Sequence, residues 1–298
     1  MLTCFEGSNL DKRLDRESFK FEHKLLGHPA LSLENLEKVL PRLPKDRVLY
    51  STKSMKIGDN FEKSFGDRTN PVSIEQIIGE IRNSNSYIMI SSPEIDPSFA
   101  DLHRSLINDV EILMRQRRVG THAIDPQLYL FIASPNSVTP FHIDRYSTFL
   151  MQFRGSKEVC VFPSWDERAV ASVDREAYIT YQNTQLPWSE QIDTLATKFT
   201  FHPGEAIHIP FVAGHHVRNG SDDVSISMSI IFNTSQTMMW RKAMTFNHTS
   251  RSVLKRFGIS PTPIGTHLWR DTTKSYLHSS LSLSQKLVRG SRKVLGRK

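Results

Sequence analysis

Cysteine is nearly missing: Cys4 and Cys160 are the two in 298 residues. Two thiols, one near the start and one inside the apolar run VCVF, leave no material for a disulfide framework and fit a reducing cytosol. They also exclude a thiolate zinc site, so any metal must take histidine and carboxylate ligands. Long apolar runs are missing too. No stretch of about 18 apolar residues occurs, so no membrane span is expected. The opening MLTCFEGSNLDKR has no basic region followed by an apolar segment. No secretory signal is expected from it, and the expected location is cytoplasmic. Internal repeats and low-complexity linkers are absent as well.

Acidic residues are scarce in one region only. Residues 241–298 carry 13 Lys and Arg against one Asp or Glu, a net of +12. Residues 91–240 carry 11 against 17, and residues 1–90 carry 14 against 13. The formal net charge of +7 is therefore a property of the C-terminal fifth. Such asymmetry fits either a basic appendage that meets something acidic or a solvated basic helix.

What is present divides the chain into three stretches. Residues 1–90 read as mixed and partly helical. Ser32 can cap LENLEKVL, whose Leu33, Leu36, Val39 and Leu40 form one stripe. Ser73 and Gln76 have capping-box spacing ahead of Ile74, Ile77, Ile78 and Ile81. Residues 91–240 begin with a third helix bearing Leu102, Leu106, Val110 and Leu113 in register, after the strand SYIMISS. From about residue 127 they turn to short β-runs, namely QLYLFIAS, TFLMQFRG, KEVCVFP, EAIHIP and VSISMSIIFN, broken by Pro, Gly, Asn and Asp turns. That texture predicts a sandwich or jelly roll. Residues 241–298, after Trp240, read as a basic, helical C-terminal region.

The segment TPFHID places His142 and Asp144 two apart. In an extended strand they share a face, and a carboxylate beside an imidazole is costly to bury unless something pairs with both. A bound metal satisfies the pair; a loop histidine beside a solvated aspartate also would. Downstream lies HPGEAIHIPFVAGHHVRNG, with the histidine pair His215-His216. Two histidines and one carboxylate on one triangular face form the donor set of non-haem Fe(II) oxygenases. Between the two motifs, Lys157 opens a strand after the Gly155 turn. It is either a surface lysine at a hairpin or an inward cation awaiting an anion.

Taken together, TPFHID, RGSKEVCVF, PGEAIHIP and HHVRN resemble, in order and spacing, the JmjC/cupin-type Fe(II)- and 2-oxoglutarate-dependent oxygenases. They are most similar to the hydroxylase branch, which includes the asparaginyl hydroxylase that inhibits hypoxia-inducible factor. The resemblance covers about residues 127–233. It implies a double-stranded β-helix, cupin-like, with flanking helices. It implies Fe(II) on His142, Asp144 and His215, with His216 on the opposite face. It further implies 2-oxoglutarate anchored by Lys157 and Thr139, with Thr148 near the cosubstrate. The activity implied is hydroxylation of a C–H bond of a protein side chain or small molecule, with succinate and carbon dioxide as coproducts. Two positions depart from the pattern. Glu205 replaces an aspartate after the turn glycine, a change of turn chemistry. Ala213-Gly214 replaces bulky aromatics, which is expected to open the cavity beside the metal or loosen the loop. A cupin-fold regulator that binds nucleic acid through the basic C-terminus is one alternative and a cupin using another metal for isomerase or hydrolase chemistry is a second, while a homodimer through C-terminal helices is the other expected partnership.

Overall fold

The computed structural model describes residues 1–51, 53–65, 81–83 and 86–295. Strands among them form two sheets, antiparallel throughout. Eight strands make the larger one: β1 (Phe5–Glu6), β2 (Phe19–His23), β3 (Val48–Ser51), β4 (Tyr87–Ser91), β5 (Ile124–Ala133), β7 (Ser147–Arg154), β10 (Glu205–Ile209) and β12 (Ser225–Asn233). Their order is β1-β2-β10-β7-β12-β5-β4-β3. The smaller sheet holds β6 (Val138–Ile143), β8 (Lys157–Val161), β9 (Thr197–Phe201) and β11 (Gly214–Asn219), in the order β6-β11-β8-β9. This is the expected jelly-roll core with flanking helices.

Strand alternation sorts the core into layers. Leu128, Leu130 and Ile132 of β5 and Phe149 and Met151 of β7 point to one side of the large sheet. There they pack on the helix Ala100–Arg117, whose Leu102, Leu106, Val110 and Leu113 are buried as the sequence stripe predicts. The intervening residues, Leu150, Ile207 and Ile209, face the small sheet and meet Val159, Val161 and Val217. The outer face of the small sheet, with Phe141, Cys160 and Phe162, is covered by the helices Ser172–Ile179 and Ser235–Lys255. Both cysteines are buried and unbridged.

Numbered in chain order, the α-helices among the described residues are α1 (Leu10–Arg13), α2 (Leu33–Val39), α3 (Ala100–Arg117), α4 (Ser172–Ile179), α5 (Ser235–Lys255) and α6 (Leu268–Leu295). Ser32 caps α2, accepting from the Asn35 amide at 3.2 Å. The helix expected from Ser73 lies outside the described residues. Helix α5 begins at Ser235, earlier than the reading after Trp240, because Thr234 and Thr237 cap it reciprocally. The boundaries drawn at residues 90 and 240 thus fall within β4 and α5, and the N-terminal strands extend the same large sheet. Among the described residues no helix is long and apolar enough to cross a membrane.

Candidate metal centre and its cavity

His142 is the penultimate residue of β6, Asp144 follows directly after the strand, and His215 lies directly opposite His142 on β11. Their ligand atoms all lie within 4.8 Å of one another, and among the described residues no other trio of His, Cys, Asp or Glu gathers in this way. Nε2 of His142 is 3.9 Å from Asp144 Oδ1, and Nε2 of His215 is 4.0 Å from Oδ2. The two imidazoles are oriented alike. Nδ1 of His142 meets the Pro140 carbonyl at 2.7 Å, and Nδ1 of His215 meets the Ala213 carbonyl at 3.0 Å. A carbonyl only accepts, so each Nδ1 carries the proton and each Nε2 turns a bare lone pair toward the common point. Burial, and then the neighbouring His215, push His142 down to about 3, which keeps it neutral. Thr148 donates to Asp144 Oδ2 at 2.6 Å, and the Val212 amide donates to the Asp144 carbonyl at 3.3 Å. Two imidazoles that turn Nε2 to a common point beside a hydrogen-bonded carboxylate fit a divalent transition metal.

The trio opens on a cavity of about 230 Å³ between the sheets. Lys157 lines it, as alternation from the inward Val159 and Val161 requires. The lysine is 2% exposed, and among the described residues no carboxylate lies within ion-pair distance. Its ammonium lies 5.8 Å from the centre of the Phe131 ring. Burial alone pushes it down to about 7. The Gly155 turn (φ +66°) delivers it there; a Cβ at Gly155 would come within 2.7 Å of the Val224 carbonyl. Thr139 lines the same cavity and donates to the Tyr87 hydroxyl at 3.3 Å.

Simple alternation cannot place Thr139 and His142 on one face, since three residues separate them. A β-bulge resolves this. His215 pairs with His142 and Val217 with Thr139, so three steps on β6 oppose two on β11. Pro140, with no amide to donate, sits in the irregular stretch.

Three cavity residues escaped the sequence reading. Tyr87 stands in the strand SYIMISS, where an inward phenol was the available signal. Phe61 stacks on His142 with centroids 4.1 Å apart and planes 22° apart; no local pattern marks it. Arg145, next to Asp144, donates to Glu62 at 2.6 Å and to the Tyr178 carbonyl, and stacks on the rings of Tyr178 and Tyr181 at 4.3 and 3.7 Å.

Neighbouring histidines have other partners. His216 points away from the trio and meets Asp193 at 3.0 Å. His208 is buried behind the site, with Nδ1 on the Thr148 carbonyl and Nε2 accepting the Asp15 amide at 2.9 Å. The departures from the motif resolve locally. Glu205 closes its turn by accepting the His202 amide at 2.8 Å and pairs with Lys20. Gly214 does not open the cavity. A Cβ there would meet the Phe141 ring at 2.8 Å on the outer face of the sheet, so the space released by the glycine is already filled.

A search of curated proteins finds no match. Among solved structures, an oxalate decarboxylase of Bacillus subtilis aligns at 16% identity and TM-score 0.25, over 37% of this chain and 22% of its own. A formate complex of the Lactobacillus farciminis oxalate decarboxylase aligns at 19% and 0.26, over 46% of this chain and 33% of its own. A conserved protein of unknown function from Streptococcus pyogenes aligns at 8% and 0.24, over 37% and 65%. The chain therefore spans a third or less of the decarboxylases' length. The model of the cupin-like domain matches residues 35–238, more than half of the chain, and takes in β3 to β12 with the whole trio. On this match the chain belongs to the cupin-like domain family.

Proposed function

We propose that the protein is an Fe(II)- and 2-oxoglutarate-dependent oxygenase that hydroxylates a C–H bond of a protein side chain or small molecule. The observation that carries this reading is Lys157. A buried ammonium without a carboxylate partner is costly, and it lines the same cavity as the histidine–aspartate trio. A metal-only cupin has no use for it; a site for a dicarboxylate does. Fe(II) held by His142, Asp144 and His215 would let dioxygen serve as oxidant, one oxygen atom passing into succinate as 2-oxoglutarate loses carbon dioxide and the other into the hydroxyl group of the substrate. The protein's own share is positional. Lys157 pairs with the far carboxylate, and the hydroxyls of Thr139 and Tyr87 offer it hydrogen bonds. Burial pushes the Tyr87 phenol up to about 12, so it stays a donor. Thr148 holds the Asp144 carboxylate in place and lines the cavity that would receive the cosubstrate. Phe61 and the Glu62–Arg145 pair screen the trio from water.

The test is an anaerobic titration with Fe(II) and 2-oxoglutarate. The visible absorption of a 2-oxo acid chelated to Fe(II) is expected, followed on aeration by succinate. Fe(II) binding without any response to 2-oxoglutarate would leave a metal cupin of another chemistry.

A further inference from the structure

We infer that the C-terminal helical pair is a docking surface for an anionic lipid bilayer, independently of the chemistry proposed for the cavity. Helix α6 has its polarity inverted for a helix packed on a protein. Asp271 and Ser275 lie buried, while Leu268, Trp269, Tyr276 and Leu277 are 46–72% exposed. At 100° per residue Trp269, Tyr276 and Leu277 fall on the face opposite Asp271 and Ser275, and Leu268 stands exposed as the first residue of the helix. The connection from α5 adds Phe257 and Ile259, 74% and 53% exposed. Large apolar side chains in this number on one unit mark a surface that something covers.

Charge identifies the occupant. Residues 241–298 contain one acid, Asp271, and it is 1% exposed. Among residues 241–282, whose side chains are described, every exposed formal charge is therefore positive, as at Lys242, Lys255 and Arg256. A second copy docked about a two-fold axis would set this cationic surface against itself. Nucleic acid would use the charges and could stack on the aromatics, but offers nothing to Leu268, Leu277 and Ile259. An anionic lipid surface uses both: aliphatic and aromatic side chains enter the headgroup boundary while Lys and Arg meet the phosphates.

The full chain is sedimented with vesicles of phosphatidylcholine alone and of phosphatidylcholine mixed with phosphatidylserine. Pelleting with the mixed vesicles only is expected, weakening as salt is raised. Emission from Trp269 should shift to the blue on binding, and Trp269→Phe should lose that shift. Trp269→Ser combined with Tyr276→Ser should lower partitioning roughly tenfold or more, with thermal unfolding unchanged because both side chains are exposed. No pelleting at low salt, or equal pelleting of the double variant, overturns the proposal. So does self-association that the double variant abolishes without any vesicle binding. Retention of a DNA duplex that outlasts vesicle binding as salt rises also overturns it and assigns the charge to nucleic acid.

Discussion

The metal trio and Lys157 are separable by single substitutions. His142→Ala and Asp144→Ala should each lower metal affinity at least as much as loss of an orienting partner does, roughly 10–100-fold or more; normal succinate formation by either would remove them from the centre. Both should leave the fold standing, since neither residue belongs to the apolar clusters. His215→Ala should abolish turnover, whereas His216→Ala should leave most of it, because His216 serves Asp193. Comparing initial rates of the two checks this, and the reverse outcome would shift the register of β11 by one residue. For Lys157→Ala the expected change is a rise in the 2-oxoglutarate requirement of about a hundred- to thousandfold, corresponding to about 3–5 kcal/mol for breaking a buried pair, with Fe(II) binding intact. Burial has taken this lysine from 10.5 to about 7. Between those values the unfolded chain holds a proton that the folded chain does not, so stability rises with pH across the window and the cost is full below about 7. Lys157→Met should therefore raise the melting temperature more at about pH 6 than at about pH 9.5. Because binding an anion needs the ammonium, 2-oxoglutarate affinity should fall by up to about tenfold per pH unit above about 7, with proton uptake measurable by calorimetry.

At the scale of elements, the stripes of α2 and α3 were legible because burial repeats with the period of the element, whereas the inward turn of Lys157 came only with the motif resemblance, its own position reading equally as a surface lysine at a hairpin. The two metal motifs were legible for a different reason: ligand chemistry tolerates few residue types. What stayed hidden depends on contacts between distant segments. The bulge that brings Thr139 to the His142 face is a property of pairing with β11, and Phe61 reaches His142 from a segment with no periodic pattern. Strand β2 was missed although its FKFEH alternates, being short and charged. The early start of α5 was missed because its cap uses Thr237 where a glutamate or glutamine is the usual signal. Gly214 shows how a reading of single residues misleads: its missing side chain suggested room beside the metal, whereas the space it leaves lies on the outer face of β11, where Phe141 fills it. Gly214→Ala should distort β11 and lower both stability and metal affinity, since a Cβ 2.8 Å from an aromatic ring forces movement. Phe141→Leu in the same chain should restore metal binding. Thermal unfolding and a metal titration of the single and double variants check both halves.

At the scale of the molecule, the N-terminus is fastened by one carboxylate. Asp109 of α3 is fully buried and accepts the amides of Thr3, Cys4 and Phe5 and the Thr3 hydroxyl, at 2.7 to 3.2 Å. Asp109→Ala leaves those donors unmet, a loss of about 1–3 kcal/mol or more. The strand β1 should then detach locally. Cys4 becomes the reporter: both thiols are buried in the native chain, so a thiol reagent should label Cys4 in the variant and leave the native protein unlabelled. The Fe(II) titration should be unchanged, because this fastening lies on the far side of the large sheet from the cavity.

The depth of that cavity has a consequence in time. Asp144 retains 25% side-chain exposure, while Lys157 retains 2% as a residue. Asp144 lies nearer the solvent than Lys157, so an anion that enters on the Asp144 side passes the trio to reach Lys157 and passes it again to leave. Whatever next sits over the trio closes the route behind it. Turnover should accordingly follow a compulsory order, with the anchored acid first in and its remnant last out. Initial-rate patterns should show a queue with one door.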